Sequence, residues 1–171
     1  QEGTNFSGGL LVGHSTTGTL STANENTGVG LTTLDALTSG DYNTAMGYAA
    51  GSGITSSSYN TLMGRNAALT LSTGVGSNTY IGYSSGYYLA SGVDNTGVGS
   101  TAHQGTSGQS GDANTAIGKA ALKVAYGDGN IAVGREAGDN ITSGSGNVVI
   151  GKADVSSATG DDQLSISDGE D

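Results

Sequence analysis

Asn114-Thr115-Ala116-Ile117-Gly118 is one copy of a five-residue pattern, Asn-[Thr/Ile/Val]-x-[Val/Met/Ile]-Gly, that recurs eight times in the chain. The other copies run from Asn26 to Gly30, Asn43 to Gly47, Asn60 to Gly64, Asn78 to Gly82, Asn95 to Gly99, Asn130 to Gly134 and Asn147 to Gly151. Their closing glycines lie 17, 17, 18, 17, 19, 16 and 17 residues apart. Degenerate copies extend the series, Leu10-Leu11-Val12-Gly13 before it and Gln163-Leu164-Ser165-Ile166-Ser167 after it. A period held over a whole chain marks stacked units rather than a globular domain with one central site. It favours structure and adhesion over catalysis.

Composition points the same way. Of 171 residues 32 are glycine, proline and tryptophan are absent, and Phe6 is the single phenylalanine. So few large apolar residues cannot fill a broad core. Disorder, however, gives no reason to hold Val, Met or Ile at one phase. Without cysteine there is no disulfide framework and no thiolate zinc site. A formal charge of −10 opposes binding to nucleic acid or anionic membranes, and no apolar run approaches a membrane span. The chain opens on Gln1 rather than Met, which reads as a fragment or processed product.

These features predict an all-β fold, a parallel β-solenoid (β-roll) of about nine coils, one per repeat. Each coil is expected to hold two turns and two short strands. A stack spaced at about 4.8 Å would make a rod roughly 40–45 Å long. Residues 1–8 read as a lead-in, 9–160 as the solenoid and 161–171 as an acidic C-terminal coil or tail, with Asp161, Asp162, Asp168, Glu170 and Asp171 crowded into it.

Strand alternation places motif positions two and four on one side and one, three and five on the other. Position four is always Val, Met or Ile, so Val29, Met46, Met63, Ile81, Val98, Ile117, Val133 and Ile150 are predicted to be the most buried column. Position three is also largely apolar. A strand with two apolar faces is buried on both, a solenoid wall has one interior, and the second face therefore calls for another chain. A three-fold axis is the simplest closed arrangement for a fibre. The motif asparagines (Asn26, Asn43, Asn60, Asn78, Asn95, Asn114, Asn130 and Asn147) can form a side-chain ladder along the stack or cap the incoming turn. The motif glycines (Gly30, Gly47, Gly64, Gly82, Gly99, Gly118, Gly134 and Gly151) end each strand where φ > 0 is cheap.

The unit from Asn114 to Ala121 resembles the head repeats of bacterial trimeric autotransporter adhesins, and the longer period, with Asn43-Thr44-Ala45-Met46-Gly47-Tyr48-Ala49-Ala50, is similar to bacteriophage tail-fibre repeats. The resemblance covers about residues 9 to 167. It implies a homotrimeric β-roll that attaches to a surface, on a virion or otherwise extracellular, and supplies no catalytic residues. The resulting expectation is a non-enzymatic structural and adhesive segment of a phage tail fibre, a stiff rod for host attachment whose outside partner is a cell-surface glycan. The alternatives are a bacterial adhesin head or filament subunit, and a polysaccharide-degrading spike.

Signatures of chemistry are scarce, and no cofactor or metal is expected. His14 and His103 stand far apart in no metal-binding pattern, and His103 reads as a surface-loop residue. The fifteen acids follow no evident register, so no carboxylate pair of the glycosidase type is picked out. The residue after each motif glycine is Leu31, Tyr48, Arg65, Tyr83, Ser100, Lys119, Arg135 and Lys152, a column holding four of the five basic residues. Glu136, Asp139 and Asp154 are candidates to interleave with it, and ion pairing between chains is favoured there over a glycan or nucleic-acid site. Tyr83, Tyr87 and Tyr88 are the candidate receptor contacts, suited to stacking on sugar faces, unless they plug a wider part of the coil. Adjacent Tyr87 and Tyr88 are expected to point to opposite sides of a strand. The column of Thr27, Thr44, Thr61, Thr79, Thr96 and Thr115 raises an ice-binding reading, set aside because it gives way to Ile131 and Val148 and shares a face with position four, expected to be buried.

Overall fold

The computed structural model of the chain describes residues 8–13, 22–73 and 76–167. Ten short strands follow one another: β1 Leu10–Val12, β2 Thr27–Val29, β3 Thr44–Met46, β4 Thr61–Met63, β5 Thr79–Ile81, β6 Thr96–Val98, β7 Thr115–Ile117, β8 Ile131–Val133, β9 Val148–Gly151 and β10 Leu164–Ser167. They form one sheet in sequence order. Every pairing is parallel and motif sits on motif, as where Thr96, Gly97 and Val98 lie beside Thr115, Ala116 and Ile117. The fold is a parallel β-solenoid of about nine turns. The degenerate copies supply β1 and β10, so residues 164–167 of the acidic C-terminal stretch belong to the sheet.

Glycine is required where each strand ends. Gly118 has φ of 133°, and a Cβ there would collide with the Gly134 carbonyl oxygen of the next coil. Backbone stacks directly on backbone in this column, and only hydrogen fits between the coils.

The second wall differs from the expectation of two strands per coil. After the motif glycine the backbone alternates in hand. Thr32 and Leu34, Ala49 and Gly51, Asn66 and Ala68, Ala120 and Leu122 all have positive φ. The alternation aims successive N–H groups along the stack in opposite directions. Ala49 N–H donates back to Leu31, while Gly51 N–H donates forward to Ala67. Of the eighteen non-glycine residues at positive φ among the described residues, eleven sit on this wall, two or four positions after a motif glycine, and the other seven directly precede a motif asparagine or Gln163. Each such residue costs on the order of 1 kcal/mol, so inter-coil hydrogen bonding, not intrinsic preference, sets this wall.

The narrow interior lies between the walls. Position three of each strand points into it, and the opposite wall contributes the residues three, four and seven after the motif glycine. Ala50, Ala67, Ala102, Ala121 and Ala137 are enclosed, as are Leu37, Ile54, Leu71, Leu89 and Ile141. Sizes are matched across each coil. Gly28 faces Leu34, Leu62 shares its coil with Ala68, and Ala116 shares its coil with Leu122. Tyr80 is buried against Gly86, and a Cβ at Gly86 or Gly97 would run into its ring. Large on one wall means small on the other, which is how a coil of fixed cross-section reaches close packing.

Position four is not the most buried column. It faces out: Met46, Met63, Ile117, Val133 and Ile150 are exposed, and Val29, Ile81 and Val98 are half-buried. The two-sided alternation is present, but the motif asparagine and position three take the inside.

Candidate interaction surface

The asparagines close the interior at the start of each strand. All eight are buried. The backbone N–H of each from Asn43 onward donates to Oδ1 of the asparagine one coil earlier, at 2.9–3.1 Å. The side-chain amides of Asn43, Asn60, Asn78, Asn130 and Asn147 donate to the same oxygen. Each Nδ2 also reaches a turn, as Asn114 does to the Gly127 carbonyl at 2.9 Å and Asn130 to that of Gly144. Ladder and cap, the two readings of this residue, coexist. Gln163 takes the place of a ninth asparagine, donating to Asn147 Oδ1 from both nitrogens.

A second ladder corrects the view that the acids lack a register. Two residues before the Asn position, Asp41, Asp112 and Asp161 each accept the N–H of the preceding coil, from Asn24, Val93 and Ser145. Asp128 does the same for Asp112, and Ser58 and Ser145 serve Asp41 and Asp128. Aspartate and serine suit this position because both offer a short side-chain acceptor. The signal was the recurrence of Asp or Ser in six of the nine places of one column.

The outer face of the sheet carries two parallel columns. Position four runs Val12, Val29, Met46, Met63, Ile81, Val98, Ile117, Val133, Ile150 and Ile166 along the whole rod. Position two runs beside it, with Thr27, Thr44 and Thr61 exposed and Thr79, Thr96 and Thr115 half-buried. One ground for setting aside an ice-binding face therefore fails, because its companion column is not buried within the chain, while the break of the threonine column at Ile131 and Val148 stands.

Beyond the motif glycine lies the mixed aromatic and basic column. Tyr48 and Tyr83 are exposed, and the Arg65 guanidinium carbon lies 5.6 Å and 5.8 Å from their ring centres. Arg135 donates to Glu136 within the same chain, 3.0 Å from Nη2. Arg135 is the largest influence holding the Glu136 carboxyl below its usual range. Glu136, Asp139, Lys152, Ala153 and Asp154 line a shallow open groove. Partial burial and then Asp154 push the Asp139 carboxyl up. The acids named as partners of the basic column thus gather around its C-terminal end.

Of the candidate receptor tyrosines, Tyr83 and Tyr88 are exposed and Tyr87 is half-buried. Tyr87 and Tyr88 do not point to opposite sides. They lie outside any strand, and their rings meet edge-on with centroids 4.4 Å apart. The tyrosine that plugs the coil is Tyr80. A further exposed pair, Tyr42 and Tyr59, stacks at 5.0 Å with ring planes 10° apart.

His103 is not a surface residue. It fills the interior opposite Gly97, with Nδ1 3.4 Å from the Tyr80 hydroxyl and Nε2 unpartnered. Burial pushes its pKa down to about 4 and holds the Tyr80 phenol protonated. His14, residues 1–7, Asp168, Glu170 and Asp171 lie outside the described residues. Among the described residues no cluster of three or more His, Cys, Asp or Glu is arranged to hold a metal ion. No family model, curated protein or solved structure matches the chain.

Proposed function

We propose that the chain is a segment of a trimeric fibre, of the kind found in phage tail fibres, that acts as a stiff rod holding host-attachment surfaces away from the particle. The outward position-four column carries this reading. Ten Val, Met or Ile residues stand in one line from Val12 to Ile166. A contiguous exposed apolar strip of this length marks an interaction face. Because every coil presents the same element, a second and third copy can meet it over the full length of the rod. The similarity of the repeats to trimeric heads and fibres makes three the expected number. The work is mechanical rather than catalytic, since the recurring residues are engaged in ladders and stacking.

Sedimentation equilibrium of the full chain at micromolar concentration tests this. The expected mass is three times that of one chain, with a single melting transition of the whole assembly. A folded, monodisperse monomer would overturn it. The outward threonine column, exposed at Thr27, Thr44 and Thr61, supports a second reading, an ice-binding face, because hydroxyls and methyl groups repeat there at the strand spacing. Thermal hysteresis and inhibited ice recrystallisation are its expected signs, and their absence at millimolar protein removes it.

A further inference from the structure

We infer that Tyr48, Arg65 and Tyr83 form a binding site for a carboxylate-bearing sugar on the flank of the rod. The site deepens the attachment reading above and rests on it. Arg65 is the only basic residue in the first 118 of a chain carrying a formal charge of −10. Among the described residues no carboxylate lies within 4.0 Å of it. Its charge is instead held between two tyrosine rings on the neighbouring coils, 5.6 Å and 5.8 Å away.

A cation–π contact engages the face of the ring and leaves the guanidinium's N–H edge free to donate. That edge is a fork of donors whose geometry matches the two oxygens of a carboxylate. The rings on either side are exposed and buttressed by the arginine, so each offers a surface for the face of a pyranose. Coils repeat at about 4.8 Å, comparable to the length of one sugar unit, so a glycan lying along the rod would place one ring per coil.

The other basic residues of the column differ in their surroundings. Arg135 is engaged by Glu136, and Lys152 lines the groove with Glu136, Asp139 and Asp154. Arg65 alone combines an aromatic setting with an uncompensated charge.

The test is binding of the full chain, measured by calorimetry, to oligogalacturonate and sialyllactose, each beside its methyl ester. Retention of at least one acid, with at least tenfold weaker binding of its ester, is expected. Arg65→Gln is expected to abolish that binding. Arg65→Lys should weaken it about tenfold, because the charge survives but the fork and its stacking do not. Equal binding of acid and ester, undiminished binding by Arg65→Gln, or no binding of either acid overturns the proposal. Sedimentation of the same samples separates this from the fibre reading. A trimer that ignores both acids leaves the fibre standing and removes the site. A monomer that binds one does the reverse.

Discussion

Ala116 and Ile117 are neighbours in β7, yet the first is fully enclosed and the second is 42 % exposed. The same contrast holds in every full repeat, and it separates two kinds of regularity. Position three varies from Gly to Tyr and is inside. Position four hardly varies and is outside. An interior position answers to the residue across the coil, so its size must change whenever that partner changes. An outward position answers to the identical residue one coil away, so one medium-sized side chain serves throughout. Uniformity here signals stacking along the rod, not depth within it.

The contrast is broken most severely from the inside. Ala116→Asp places an unpaired charge in a space with no room for it, and burial of that kind costs several kcal/mol. No folded rod is expected, and far-ultraviolet circular dichroism reads the loss directly. Asn114→Ala comes next. It removes the acceptor used by Asn130 N–H and Nδ2 and strips the Gly127 carbonyl of its donor. Urea denaturation is expected to show a loss of about 3 kcal/mol or more, at about 1–3 kcal/mol for each stranded group.

His103 gives a smaller, titratable effect. Its folded pKa of about 4 lies below the ordinary value of 6.5, so the fold favours the neutral ring. The associated stability is complete above about pH 6.5 and declines as pH falls toward 4. Between pH 7 and pH 5 it accounts for about 2 kcal/mol. Urea midpoints at the two values should show that difference in the wild type, and the part due to the imidazole should vanish in His103→Gln. The gentlest change to the coil itself is Ile117→Asp. The coil has room for the side chain on its outer face, so the single chain should keep its circular dichroism, while sedimentation reports monomer instead of trimer and the melting point falls by what assembly had contributed. An Ile117→Asp chain that still assembles would detach the outer column from oligomerisation.

The period, the parallel register and the need for glycine were legible because they depend on recurrence alone. Which face turns inward was not. Alternation distinguishes two sides without ranking them, and the deciding fact is that Asn114 buries its side-chain amide by accepting from Asn130 at Oδ1 and donating from Nδ2 to the Gly127 carbonyl. The aliphatic column of Leu37, Ile54, Leu71, Leu89 and Ile141 stood seven residues after five of the eight motif glycines and could have been found by extending the alignment past the motif. The alternating-hand wall carried less signal, because Thr32, Ala49, Asn66 and Glu136 have no common chemistry favouring positive φ. The candidate site is half legible: the column of Tyr48, Arg65 and Tyr83 follows from spacing, but the placement of the guanidinium over both rings requires coordinates.

The asparagine ladder also has a direction in time. Each new asparagine brings its N–H groups to an oxygen on the coil already made, as Asn43 does to Asn26 and Asn147 to Asn130. A ribosome adds about 5–20 residues per second, so a coil emerges roughly every 1–3 s, far longer than the microseconds in which a local turn or hairpin closes. The growing rod can therefore serve as the template for its own next layer, with the chain laid down coil by coil in the order in which it is translated.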